Sequence, residues 1–152
     1  MQPVLIIGIG NTLRSDDGIG IVAAQKLEET LRDQVRAIAC QQLTPELAKD
    51  LSEADRVIII DADQGKTPGH ITLKEIKPGD HAVGSFTHEL DPATLLTSTR
   101  ELYGRSPDTF LITITGSTFD YGERLSQSAA DAIPVVLRHV RELASINPRK
   151  HS

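Results

Sequence analysis

Asp17, Asp61 and His88 are the side chains in this sequence whose types and placement point to chemistry. Two carboxylates and an imidazole around an open position suit a borderline divalent metal such as zinc or nickel. Either carboxylate also has the chemistry of a general base. Asp16 precedes the first acid, and Asp63, two residues beyond the second, is a candidate for the same role as Asp61. Taken singly, each residue also has an ordinary structural reading. Asp16 and Asp17 favour a helix N-terminus through its dipole, Asp61 closes a strand, and His88 is a loop histidine bonded to backbone. No compact CxxC or HExxH motif is present. Nor is there a Ser–His or Cys–His pairing that would support an acyl-enzyme route. His70, His81, His139 and His151 lack such placement and read as surface or structural residues, and Cys40 reads as a small strand-end residue.

The elements that must bring the three together are legible in the apolar pattern. Val4-Leu5-Ile6-Ile7 is an apolar run without alternation, the mark of a strand buried on both faces. It breaks at Gly8-Ile9-Gly10-Asn11, and a helical pattern then starts near Asp17. Val57 to Ile60 are four consecutive β-branched residues, a central strand that delivers Asp61 to the same sheet edge as Asp17. Strands are predicted near residues 3–8, 35–40, 56–61, 70–75 and 109–115, the fourth at an edge with one solvated face. Thr44-Pro45 marks the start of a short helix and Asp91-Pro92 that of a longer one, each as cap plus first-turn proline. A final helix starts near Ser126, and Pro134 is expected to kink or divide it. Strands alternating with helices predict a three-layer α/β/α fold. Its sheet is mostly parallel, twisted and about five-stranded, with helices on both faces. Open sheets of this kind take their ligands beyond the carboxyl ends of the strands.

Gly8-x-Gly10 after a first strand invites a dinucleotide-binding reading, but Leu13 stands where the third glycine belongs. The second strand ends in Cys40-Gln41-Gln42 rather than in an acid for a ribose hydroxyl, and two carboxylates would repel a pyrophosphate. The 152 residues are expected to form a single domain over 1–146 with a polar tail over 147–152. A net charge of −5 argues against nucleic acid as the main partner. No apolar run reaches membrane-spanning length, the N-terminus lacks a signal-peptide layout, and a single cysteine excludes an internal disulfide. The expectation is a cytoplasmic protein without membrane or nucleic-acid partners.

The run Gly8-x-Gly10-Asn11-x-Leu13-x-x-Asp16-Asp17-Gly18-x-Gly20 resembles the opening signature of the hydrogenase maturation endopeptidases. These proteases trim the C-terminus of the large subunit of nickel-iron hydrogenases. The likeness continues in Ile60-Asp61-Ala62, in Thr87-His88-Glu89 before a helix, and in Gly122-x-x-Leu125-Ser126 before the last one. By that resemblance Asp17, Asp61 and His88 are both the catalytic set and the metal ligands, supported by Gly10, Asn11 and Asp16. The resemblance further implies nickel carried in by the substrate, with no tightly held metal of the protein's own. Its partner would be a hydrogenase large-subunit precursor, and its reaction one C-terminal cut by water, with Asp17 or Asp61 as base. Cys40-Gln41-Gln42-Leu43-Thr44-Pro45-Glu46 departs from the glycine-rich stretch often found after the family's second strand. Gly116-Ser117-Thr118 lacks the Pro or Glu common after the last strand. The Gln-Gln-Leu-Thr-Pro-Glu run resembles the branch serving bidirectional, NAD-linked hydrogenases. Two rival readings are a non-catalytic module that checks a partner's metal and a metal-dependent phosphoesterase. The second is poorly supported, since nothing positive near the turn is expected to bind phosphate.

Overall fold

The β-branched run Val57–Ile60 lies within a central strand, Arg56–Asp63, as its composition demands. In the computed structural model, which describes residues 4–80 and 90–145, five strands form one sheet. They are β1 (Val4–Ile9), β2 (Val35–Cys40), β3 (Arg56–Asp63), β4 (Ile71–Ile76) and β5 (Asp108–Thr115), in the order β2-β1-β3-β5-β4. The first four in that order run parallel, and the edge strand β4 is antiparallel to β5. The helices are α1 (Ile19–Leu31), α2 (Leu47–Ser52), α3 (Pro92–Tyr103) and α4 (Gln127–Ser145).

Alternation along the strands sorts the core into two faces. Ile6, Ile58, Ile60 and Ile112 meet α1 and α4, while Leu5, Ile7, Val57 and Ile59 meet α2 and α3. Ile58, Ile59 and Ile60 are wholly removed from solvent, and each such side chain contributes about 1.5–3 kcal/mol of transfer free energy. The three-layer arrangement read from the sequence is therefore present. Because α1 leads outward from β1 to β2 and α2 leads back to β3, the chain reverses direction between β1 and β3. That reversal opens a crevice at the carboxyl ends of these two strands. The opposite edge is sealed: buried Arg56 bonds Leu143 O and pairs with buried Asp108 at 3.4 Å.

Three local expectations shift. β3 continues two residues past Asp61, so that acid lies inside the strand end rather than beyond it. α2 begins at Leu47 without a side-chain cap. Thr44 and Pro45 instead form a lead-in turn whose carbonyls accept Leu47 N–H and Ala48 N–H, each at 3.1 Å. α4 is not divided by Pro134. The proline faces solvent, as does Ala130, so the carbonyl it leaves without a helical donor stands where water reaches it. At α3 the Asp91-Pro92 reading holds fully. Asp91 Oδ1 accepts Thr94 N–H at 2.8 Å, and Gly104 closes the helix at φ 77°.

Candidate active site at the β1/β3 crevice

Asp17 is placed by the turn that follows β1. Gly10 N–H donates to Cys40 O at 3.0 Å, continuing the β1–β2 ladder one step past the strand. A Cβ on Gly10 would lie 1.9 Å from Asp17 O, so only glycine lets the chain fold back this closely. Asn11 N–H donates to Asp17 Oδ2 at 2.9 Å, and Asn11 Oδ1 accepts Leu13 N–H at 2.9 Å. One asparagine thus orients the acid with its backbone and shapes the loop with its side chain. Asp17 itself is half-buried on a short 3-10 turn, Ser15–Gly18, that packs against β3. Its Oδ1 has no hydrogen-bond partner among the described residues.

Asp61 reaches the same edge from the other side of the crevice. A Cβ on Gly20 would lie 2.2 Å from Ile60 O and 2.7 Å from Ile9 O. The first turn of α1 therefore sits directly on the ends of β1 and β3, one residue short of Asp61. The register places Cys40 beside Ile9 and Asp61 beside Thr113, with Thr72 next in line. These side chains share the α2/α3 face of the sheet at its carboxyl lip. Asp61 is half-buried and its Oδ1 accepts the N–H of Ala62 at 2.8 Å. Burial pushes the Cys40 thiol up, and the Asp61 charge pushes it further. Cys40 is thus a strand-end residue, as read from the sequence, and it stands within electrostatic reach of the candidate site.

Asp16 has a role that the sequence did not disclose. It is fully buried and accepts four hydrogen bonds: Ser126 N–H at 2.7 Å, Ser126 hydroxyl at 2.7 Å, Ser117 N–H at 2.7 Å and Thr118 N–H at 3.3 Å. Burial alone would raise its pKa. The bonds from Ser126, Ser117 and Thr118 outweigh that and hold the carboxyl below the usual carboxylate value. The acid fastens the loop after β5 onto the loop after β1. Ser15, at φ 50°, adds to the fastening by bonding Gly122 O through its N–H and Asp120 O through its hydroxyl, each at 2.8 Å.

No protein-family model matches the chain. Hydrogenase expression/formation protein HupD of Bradyrhizobium diazoefficiens is 36% identical over 73 residues, 46% of this chain and 38% of that protein. HupM of Azotobacter chroococcum is 38% identical over 77 residues, 49% of this chain and 36% of that protein. The matches thus take in less than two-fifths of each curated relative's length. Solved structures extend the likeness over the whole fold. The hydrogenase maturating endopeptidase HybD from E. coli superposes with a TM-score of 0.73 at 25% identity, over 94% of this chain and 91% of that one. The [NiFe] hydrogenase maturation protease HybD from Thermococcus kodakarensis gives 0.72 at 25% identity, over 95% and 100%. The chain thus resembles the hydrogenase maturation endopeptidases in fold over nearly its full length.

Of the residues that the family resemblance singles out, Gly10, Asn11, Asp16, Asp17 and Asp61 all come to this one edge of the sheet. His88 lies outside the described residues, as do His81 and His151. Among the described residues no three His, Cys, Asp or Glu side chains cluster as a metal site, which leaves two carboxylates flanking the crevice. Asp63 is committed elsewhere: its Oδ1 accepts the Thr115 hydroxyl at 2.8 Å, across the β3–β5 pairing. A cation does stand in the turn, since Arg14 lies three residues before Asp17 and is exposed. One arginine beside two carboxylates still makes a poor phosphate cradle. What the sequence reading missed is the strap over residues 116–126. Its one available signal was Gly122-x-x-Leu125-Ser126, noted for its resemblance and not for its bonds to Asp16.

Proposed function

We propose that this protein is an endopeptidase that removes the C-terminal extension of a nickel-loaded [NiFe]-hydrogenase large-subunit precursor. The observation that carries the reading is the placement of Asp17 and Asp61 across the β1/β3 crevice, in a fold shared over nearly its full length with proteins named as hydrogenase maturation proteases. Nickel enters as part of the substrate, and Asp17, Asp61 and His88 are its provisional ligands on the protease. Oxygen and imidazole donors suit a divalent ion of that class. A set drawn from three separate chain segments recognises the metal without retaining it. The reaction is placed in the cytoplasm. Among the described residues no helix is long and apolar enough to cross a membrane.

Peptide cleavage then requires water to attack the carbonyl carbon next to the scissile bond. A carboxylate accepts the proton that the water gives up and passes it to the departing amine as the carbon–nitrogen bond breaks. We assign Asp17 as the better placed base, because its Oδ1 is unengaged among the described residues while Asn11 holds Oδ2. Asp16 is the wrong acid for the task, since all its acceptor capacity is spent inside the protein.

The test is incubation with nickel-loaded and nickel-free precursor, followed by mass measurement of the large subunit. A single shortened product from the nickel-loaded form alone is expected. Equal cutting of both forms, or hydrolysis of casein, would overturn the reading.

A further inference from the structure

Two large side chains are left in solvent, one on the turn that carries Asp17 and one on the loop bonded to that turn. Leu13 is 44% exposed and Tyr121 is 86% exposed, yet the backbone around each is held firmly. Gly122 N–H donates to Leu13 O at 2.8 Å, and Gly122 O accepts Ser15 N–H at 2.8 Å. Asp120 O, on the other side of Tyr121, accepts the Ser15 hydroxyl. Leu13 N–H is taken by Asn11 Oδ1, and Asn11 N–H by Asp17 Oδ2. A short run of hydrogen bonds therefore connects the backbone that carries both side chains to the carboxylate. A single exposed leucine means little on a protein surface. A tyrosine on a fixed loop is different, because it offers a large contact area at small cost in conformational freedom. Tyrosine is also over-represented among the residues that dominate binding energy.

We infer that Leu13 and Tyr121 form an apolar anchor for the polypeptide substrate, gripping an apolar side chain that the precursor presents close to the cut. The inference rests on the proteolytic reading above. The occupant is the precursor because the anchor is continuous, through Asn11, with the acid that this reading places at the scissile bond. The pair supplies apolar contact area, so it sets affinity and not the chemical step. The chain supplies its own control. Leu102, 71% exposed, and Tyr103, 48% exposed, form a second exposed leucine–tyrosine pair at the end of α3 that leads to the opposite edge of the sheet.

The experiment measures KM and kcat for nickel-loaded precursor, and in parallel the Kd of fluorescently labelled precursor. The proteins are the wild type, the Leu13→Ser/Tyr121→Ser double variant, Tyr121→Phe, and Leu102→Ser/Tyr103→Ser. The double variant should raise KM and Kd about tenfold with kcat within about twofold. Tyr121→Phe should behave as wild type, since the ring and not the hydroxyl is the anchor, and the α3 pair should change nothing. If the double variant keeps wild-type KM, or loses kcat instead, the anchor is refuted while the protease reading stands. If wild type binds precursor without cutting it and the double variant still weakens binding, the anchor stands and the protease reading falls. If wild type neither binds nor cuts, both fall. Thermal melting accompanies each variant, and a lost tenfold difference after matching for folded fraction also counts against the anchor.

Discussion

The Asp16 carboxylate accepts both the backbone N–H and the hydroxyl of Ser126, each at 2.7 Å, across 110 residues of sequence. Through that pair the first β–α turn and the last are one structural unit. Asp16→Asn would turn an amide N–H₂ toward donors that now face a carboxylate. Hydrogen bonds to a charged group contribute about 1.5–3 kcal/mol each, so a loss of about 3 kcal/mol is expected. Urea denaturation at pH 7 measures it, and a change below about 0.5 kcal/mol would show that the clamp is dispensable.

The same carboxylate gives the stability a defined acid dependence. Its folded pKa lies below the ordinary value of 3.8, so it adds stability above that value. The contribution fades as pH falls through the folded pKa. Wild type should therefore lose stability more steeply than Asp16→Asn as pH drops below about 4. Denaturant midpoints measured downward from pH 5 compare the two slopes.

Asp17→Asn and Asp61→Asn should fold normally, because both acids sit at the sheet rim and are only half-buried. An asparagine oxygen at 17 still accepts the N–H of Asn11, so the loop keeps its shape. Precursor cleavage should nonetheless fall by about 10²-fold or more in each. Far-ultraviolet circular dichroism with the cleavage assay separates the two expectations.

Gly20→Ala tests the seating of α1 on the strand ends. A Cβ there would sit 2.2 Å from Ile60 O, a backbone atom that cannot swing aside. The helix must lift off β3, at a cost of about 1–3 kcal/mol or more. Cleavage should fall beyond what the lost folded fraction explains, since the lift separates Asp17 from Asp61.

Cys40 reports on Asp61 independently of any substrate. The thiol is pushed up by burial and then by the Asp61 charge, so Asp61→Asn should bring it down. Iodoacetamide alkylation, which needs the thiolate, should then run faster at pH 8 in the variant. Unchanged alkylation would mean that the two side chains do not feel each other.

The strands were legible because their side chains need burial on both faces. Ile58-Ile59-Ile60 suits a strand covered on both faces, and Asp91-Pro92 has the form of a helix start. The carboxyl-edge positions of Asp17 and Asp61 followed from those elements. Direction and neighbour order were less accessible: nothing within Ile71–Ile76 says that it runs antiparallel beside β5. Thr44 misled because a turn carbonyl and a helix cap ask for the same residue types. Whether Pro134 divides its helix depends on whether water reaches the orphaned carbonyl, a property of the fold and not of the residue. Asp16 looked like a helix-start acid because all its partners lie more than a hundred residues away.

The sheet order carries a consequence for how the molecule is made. Among the described residues β4 pairs only with β5, and β5 also covers the outer side of β3. As the polypeptide leaves the ribosome, β4 emerges with nothing to join, and the apolar flank of β3 stays bare until Asp108–Thr115 arrives. Three strands can assemble early, but the fourth position in the sheet must be held open for a strand translated last. A nascent chain halted near Pro107 therefore exposes an unpaired, β-branched edge, the feature that draws strand-to-strand aggregation and chaperone capture. Because the loop that Asp16 grips follows β5, the crevice is completed only after Ser126 has been made. Before that point the two acids flank a crevice whose outer wall is missing.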